Sequence, residues 1–368
     1  MAYDQKRVVD AIRAFEAGEI VVVTDDDDRE NEGDLIISAV HCTPEKMALI
    51  VRHTSGIVCA PMPREEAKRL NLNAMVAEND SAHTTAFTVS VDFKHGTTTG
   101  ISADDRTLTV RNLANPNVGA SDFTRPGHIF PLIAQPGGVL TRAGHTEAGV
   151  DLAMLAGLEP AGVLVEILNP DGSMARRPEL EVFAREHGLK MGSIADLIAY
   201  RLATEHTVER VDEREIDTEF GAFKLVTYRD RIANDLHFAL VRGTPDKDTP
   251  TLVRVQVENP LADLLHWRRD DFGVASTDAL RAIDAAGAGV MVVLSAPRDT
   301  NALLARLRQQ PAPVIPGKDK DVGQWRRNGA GAQILSDLGL GKLRVLGTPR
   351  RQIGLAGYGL EIVETVQV

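Results

Sequence analysis

The sequence predicts two domains, a mixed α+β first domain followed by an α/β second domain. Three observations carry this. The 368 residues are enough for two domains of ordinary size, and a hydrophobic content of 43% lets each build a core. Apolar runs alternate with helix-like segments along the first part of the chain. A polar, charge-dense stretch, ATEHTVERVDEREIDTEFG (203–221), reads as a connection, after which α/β alternation resumes. The two domains are therefore expected on either side of that stretch.

The chain opens with an amphipathic helix over 4–17, with Val8, Val9, Ile12 and Phe15 on one stripe and Gly18 as its stop. Further helices are expected at 44–53, 64–70, 103–114, 146–156 and 193–204. Strands are expected at 19–24, 35–40, 56–61, 86–92, 128–134 and 162–168. Thr43 before Pro44 predicts a capped start to the second helix. Ser102 followed by Asp105 has capping-box form. Beyond the connection, GAFKLVTYRD, LHFALVRG and TLVRVQVEN read as strands at hairpin-like spacing. STDALRAIDAAGAG then reads as a helix and VMVVLSA as a strand, with NALLARLRQ, GAQILSDLGL and KLRVLGT continuing the alternation. The Pro-rich, charged segment 309–321 reads as a loop.

A net charge of −11 argues against general affinity for nucleic acid or an acidic membrane surface. No apolar run is long enough to span a bilayer, and the N-terminus lacks the pattern of a secretory signal. Only two cysteines occur, Cys42 and Cys59, both expected to stay reduced in a cytoplasm.

Three segments carry chemistry. TDDDDRENEGDL (24–35) places seven acids between two apolar runs. It is either a solvated loop or a folded one. Arg29, Asn31 and Gly33 suit a folded loop, with Gly33 permitting an unusual backbone angle. Clustered carboxylates also repel unless a cation is near, and a hard divalent ion such as Mg²⁺ takes oxygen ligands. TRAGHTEAGVDLAMLAG (141–157) sets Arg142 and His145 before a helix starting near Thr146. It reads either as a phosphate cradle or as a capped helix with a surface Arg and His. In DFTRPGHIFPLIA (122–134), Pro126 and Gly127 bend the chain before a strand, and His128 is either structural or a catalytic base.

Together these segments resemble 3,4-dihydroxy-2-butanone-4-phosphate synthase, the riboflavin-biosynthesis lyase acting on D-ribulose 5-phosphate. DDDDRENEGD, RHTSGIVCAPM, AFTVSVD, TTTGISADDR, RPGHIFPL, RAGHTEAGVDLAMLAG and PAGVLVEILN occur in the family's order over about residues 1–205. The resemblance implies that Glu30 and His145 bind Mg²⁺ or Mn²⁺. It implies that Arg29 and Asp34 contact the substrate, Asp34 through its hydroxyls. Arg142, the backbone at Gly144, and Thr146 would hold the phosphate. Glu166 would be a catalytic carboxylate that also meets the substrate, and His128 an essential acid–base group. Cys59 would line the site, though a small core residue is the commoner reading of a cysteine at such a position, and Thr99 would be a lesser contact. Val165 stands where many relatives carry Cys, a change that keeps the position small and apolar. The implied reaction removes a proton beside the ketone to give an enediol, expels water, rearranges the carbon skeleton and releases formate. A cytoplasmic homodimer with sites near the subunit interface is also implied.

Residues from about 209 resemble GTP cyclohydrolase II through FGAFKLVTYRD, LVRVQVEN, GAQILSDLG and LAGYGLEIVETV. That enzyme binds zinc through three cysteines. Asn259 stands where the first would be, and both cysteines of this chain precede residue 60. No zinc is expected, since His237 and His266 alone remain as good ligands and a catalytic zinc needs about three. SAPRDTNALL replaces the family's nucleotide segment, while Arg326 and Arg327 hint at a phosphate site or are simply solvated. The leading expectation is a synthase with a catalytically inactive second domain, serving as scaffold, regulator or docking module. One alternative is a bifunctional enzyme with non-standard cyclohydrolase chemistry. The other is a non-catalytic regulatory protein.

Overall fold

The computed structural model describes residues 5–25, 29–81, 83–269, 272–295, 300–308, 320–347 and 358–367. The chain forms two compact units, the first running to Arg201 and the second starting at Leu202. Each holds a seven-stranded sheet with helices.

The first unit runs α1 (Gln5–Glu16), β1 (Val21–Thr24), β2 (Gly33–Ser38), α2 (Pro44–Arg52), β3 (Cys59–Met62), α3 (Arg64–Arg69), β4 (Val91–Phe93), α4 (Ala103–Leu113), β5 (Phe123–Ile133), α5 (His145–Leu155), β6 (Gly162–Glu166), α6 (Arg177–Glu186), β7 (Lys190–Ser193) and α7 (Ile194–Thr204). The strand order is β4-β5-β3-β6-β2-β1-β7. The sheet is mixed: β1/β7 and β3/β5 are parallel, and the other neighbours antiparallel.

The pleat sorts side chains by parity. Leu35, Ile37, Ala60, Met62, Val163 and Val165 share one core with Met47 and Ile50 of α2, Val110 and Leu113 of α4, and Leu180 of α6. The opposite face receives α5. A Cβ on Gly149 would lie 3.0 Å from Pro61 and 3.6 Å from Ile36, so a glycine lets the helix approach the sheet there. Local chemistry sets the helix starts. The Thr43 hydroxyl accepts from Lys46 N at 3.4 Å, and the Ser102 hydroxyl from Asp105 N at 3.0 Å. The Asp105 carboxylate is spent on Thr98 N, Thr98 Oγ1 and Gly100 N, tying a loop to α4.

The second unit runs β8 (Val208–Thr218), β9 (Gly221–Asp230), β10 (Leu236–Arg242), β11 (Thr251–Val257), α8 (Pro260–Asp263), α9 (Ser276–Ala286), β12 (Gly289–Leu294), α10 (Thr300–Leu307), α11 (Lys320–Asp337), β13 (Lys342–Leu346) and β14 (Glu361–Val366). Its order is β14-β13-β11-β12-β10-β9-β8.

Several expectations need correction. The charged stretch read as a connection is mostly β8, an edge strand paired with β9 along its whole length. One flank of an edge strand faces water, so alternating Glu, Arg and Asp are tolerated and discourage edge-to-edge association. The strand expected at 86–92 is confined to Val91–Phe93, with Phe87 making an isolated bridge to Leu132. Pro126 and Gly127 lie inside β5, where the pairing with β4 shifts register between Val91 and Asp92. In α1 the buried stripe is Val8, Ala11, Ala14 and Phe15, with Val9 and Ile12 half-buried. α6 and β7 carried no sequence expectation. Residues 309–319 lie outside the described residues, as do the side chains of Arg326 and Arg327. No helix among the described residues is long and apolar enough to cross a membrane.

Candidate active site

Sheet register gathers the carboxylates and His128 at one end of the first sheet. Val23 pairs with Asp34, and Asp34 pairs with Glu166. Leu164 and Phe130 both lie opposite Cys59, from an antiparallel and a parallel neighbour. Two residues further along, Glu166 and His128 therefore emerge at the same sheet edge. By parity, Asp34, Glu166, Cys59 and His128 lie on the face that α5 covers.

The acidic run is a folded loop built around one carboxylate. Asp25, at the end of β1, is buried and accepts from Glu30 N at 3.0 Å, Glu32 N at 2.8 Å and Arg29 Nη1 at 3.0 Å. Arg29 also pairs with Glu30 at 2.6 Å. From outside, Arg176 Nη1 donates to the carbonyls of Glu30 and Asn31. The positive φ falls on Asn31, at 54°, and not on Gly33. Gly33 instead lies close to α6: a Cβ there would sit 2.5 Å from Leu180 Cδ1. Asp26, Asp27 and Asp28 lie outside the described residues.

His145 is the first residue of α5 and is buried. Its Nε2 donates to the Val23 carbonyl at 3.1 Å. That bond fixes the ring so that Nδ1 faces Glu30 Oε2 and Asp34 Oδ1, each 3.8 Å away. Ligand atoms of Asp25, Glu30 and His145 fall within 4.8 Å of one another. Asp34 Oδ1 is buried without a hydrogen-bond partner. A buried orphan carboxylate oxygen beside an aimed imidazole nitrogen and a second carboxylate suits a hard divalent cation. Without one, burial pushes Asp34 up to about 7, reinforced by Glu166 and Glu30 against the pull of His145. Burial alone would lower His145, but the Asp34 charge and the Glu30 hydrogen bond raise it to about 9. Burial opposes ionisation of Glu30, yet the His145 hydrogen bond and the Arg29 charge hold it at about 2.

The Glu166 carboxylate accepts from Ser55 Oγ at 3.0 Å, and its carbonyl from Ser55 N at 2.9 Å. Cys59 is buried beside this pair. Burial, then the Glu166 and Asp34 charges, push its thiol well up, so it stands as a neutral wall and not a thiolate. The exposed His128 is clamped by Asp92. One carboxylate oxygen accepts from His128 N at 2.8 Å and the other lies 2.7 Å from Nδ1. A carboxylate at Nδ1 keeps a proton there and leaves the Nε2 lone pair outward. Thr99, exposed, lies in the loop that Asp105 ties down. Its neighbour Gly100 has φ of 90°, and a Cβ there would lie 2.0 Å from Asp92 Oδ2 and 2.6 Å from His128 Nδ1. Gly100→Ala is accordingly expected to destabilise the fold by about 1–3 kcal/mol. Denaturant unfolding checks this, and an unchanged midpoint would mean that the loop yields freely.

Arg142 and His145 are buried, which removes the surface reading of that segment. Arg142 Nη1 pairs with Glu147 at 2.7 Å, and Nη2 donates to the His83 carbonyl and the Thr85 hydroxyl. A Cβ on Gly144 would come 2.2 Å from Arg142 Nη1, so glycine leaves room for the guanidinium. Thr146 is buried in the first turn of α5, where amide groups lack partners within the helix. Sequence reasoning missed Asp25 as organiser of its loop, Ser55, Asp92 and Glu147. Asp92 carried a signal, an acid between Val91 and Phe93 in a strand; Ser55 carried none.

In the second unit, Asp263, Gln256 and Ser276 bond to one another, while Asn259 Oδ1 is buried without a hydrogen-bond partner. Asn259 N donates to Asp263 Oδ2 at 2.7 Å, and Gln256 Nε2 bridges Asp263 and Ser276. The buried His237 accepts from Ser295 N through Nδ1 at 3.1 Å. His266 lies apart from the strands, with φ of 51°.

A family model for 3,4-dihydroxy-2-butanone 4-phosphate synthase matches residues 9–200, and one for GTP cyclohydrolase II matches 209–367. The chain is 48% identical over 369 residues to a Pseudomonas syringae pv. tomato protein named 3,4-dihydroxy-2-butanone 4-phosphate synthase, covering 100% of this chain and 99% of the relative. It is similar to the crystal structure of RibBX, a two-domain 3,4-dihydroxy-2-butanone 4-phosphate synthase from A. baumannii, with TM-score 0.79 and 44% identity over 98% of this chain and 99% of that one. A synthase solved in complex with two magnesium ions matches at TM-score 0.52 and 50% identity, over 54% of this chain and 97% of that one.

Proposed function

The chain belongs to the 3,4-dihydroxy-2-butanone 4-phosphate synthase family, and from that premise we propose how its two units divide their roles. It is an enzyme of riboflavin biosynthesis. The first unit, proposed to span 1–205, converts D-ribulose 5-phosphate to 3,4-dihydroxy-2-butanone 4-phosphate and formate. The observation that carries this is the Val23–Asp34–Glu166 register, which pairs Asp34 with Glu166 and sets Asp34 beside the aimed Nδ1 of His145.

Glu30 and His145 would hold Mg²⁺ or Mn²⁺, with Asp25 ordering the loop that presents Glu30. The ion would polarise the substrate's oxygens and stabilise negative charge on them. Asp34 and Arg29 orient the sugar hydroxyls. Arg142, Gly144 and Thr146 receive the phosphate, aided by the positive end of α5. Arg142 binds an anion by turning from its Thr85 and His83 contacts while Glu147 keeps its other edge in place. His128, its Nε2 lone pair outward, takes or returns protons at the carbons and oxygens of the enediol. Glu166, steadied by Ser55, serves as a second proton carrier. Cys59 and Thr99 close the walls. A homodimer acting in the cytoplasm completes the reading, with neither nucleic acid nor membrane as partner.

The second unit, proposed to span 209–368, performs no cyclohydrolase chemistry. Supporting this, both free cysteines of the chain lie in the first unit, and asparagine stands at 259 where the zinc-binding family carries its first cysteine. The test is a paired assay on the full-length protein. Ribulose 5-phosphate with Mg²⁺ is expected to yield formate, and GTP with Zn²⁺ none beyond a no-enzyme control. Formate from GTP would refute the inactive second unit; no formate from either would refute the synthase reading.

A further inference from the structure

Arg106 sits where local energetics disfavour it. It lies in the first turn of α4, where the positive end of the helix repels a cation. It is 8% exposed. Its Nε is buried with no hydrogen-bond partner, and among the described residues no carboxylate comes within ion-pair distance. A buried, half-satisfied cation costs stability, and such exceptions to local rules gather at functional sites.

Its neighbours supply the reason. Nη1 donates to the Gly56 carbonyl at 3.1 Å. Gly56 follows Ser55, whose hydroxyl and amide hold Glu166. On the other side, the preceding residue, Asp105, ties down Thr98 and Gly100. Gly100 packs directly against Asp92 and His128. The Asp92 charge also acts on Arg106, opposing the burial that pulls its guanidinium below the ordinary value.

We propose that Arg106 is a positioning residue: it holds the turn that presents Ser55 to Glu166 and sets a positive charge behind the Asp92–His128 pair, so one side chain aligns both proton carriers. The inference rests on the synthase reading and on His128 and Glu166 as its acid–base groups. Lysine preserves the charge but not the planar fork.

Arg106→Gln and Arg106→Lys are compared with the native full-length enzyme in Mg²⁺, following formate. Arg106→Gln is expected to lower kcat about 10–100-fold with KM little changed. Arg106→Lys is expected to lower kcat less, with KM again native. Native kcat in Arg106→Gln would overturn the proposal, as would a loss that falls on KM instead of kcat. Should Arg106→Gln not fold, Arg106→Lys decides: reduced kcat with native KM supports it, and native kcat or a raised KM overturns it. Failure of the native enzyme itself to release formate would instead strike the synthase reading.

Discussion

His145→Gln is expected to lower kcat/KM by about 10³-fold, corresponding to roughly 4 kcal/mol of lost transition-state stabilisation. Glutamine retains a donor for the Val23 carbonyl but removes the lone pair at Nδ1, which faces Glu30 and Asp34. The loss should not be recovered by excess Mg²⁺. The same geometry predicts a pH dependence. In the metal-free protein His145 is held at about 9, above its ordinary 6.5, and Asp34 at about 7, above 3.8. Both groups bind protons more tightly folded than unfolded. His145 thus contributes stability that is complete below about 6.5 and lost as pH rises through about 9. The raised Asp34 costs stability that accrues as pH climbs from about 3.8 and is complete once pH passes about 7. A divalent cation must displace these protons, so its affinity should rise with pH, by at most about tenfold per unit for each proton released. Thermal unfolding with and without Mg²⁺ checks this. The Mg²⁺-induced rise in Tm should be larger near pH 9 than near pH 6, and equal shifts would refute a cation seated on His145.

His128→Asn is expected to lower kcat by about 10²–10⁴-fold with KM little altered. Asp92→Asn should do comparable damage, although it replaces one oxygen by an amino group. The His128 backbone N–H already occupies one Asp92 oxygen at 2.8 Å, so the Asn carbonyl must stay there. Its NH₂ then faces Nδ1, donates to it, and drives the ring proton onto Nε2. The outward lone pair is lost and the base with it. Rate measurements on both variants, with thermal unfolding to show that each folds, decide the point. A nearly native Asp92→Asn beside an inactive His128→Asn would remove the tautomer argument.

The motifs made the first unit's chemistry legible because the residues that bind cation and sugar crowd into short stretches, Arg29–Asp34 and Arg142–Thr146. Their assembly was not legible. Asp34 and Glu166 are 132 positions apart, yet lie side by side through the β2/β6 register. Ser55 is an ordinary residue in sequence and gains its role only from what sits opposite it. The charged stretch at 208–218 shows the converse. Its composition reads as a loop, but backbone pairing to β9 satisfies its polar groups, and edge exposure lets its charges stay in water.

The sequence by itself determined β1, β2, β3, β5 and β6 of the first sheet, the two-unit order, and the absence of cysteine beyond residue 60. Those depend on side-chain type and local spacing, which a linear chain carries explicitly. Only the tertiary structure decided that the acidic loop wraps around Asp25, that His145 aims Nδ1 at Glu30, and that Arg142 is buried against Glu147. Those depend on which buried donor finds which acceptor. A desolvated polar group is too costly to leave unpaired, and the partner that satisfies it comes from a distant segment brought close by the sheet.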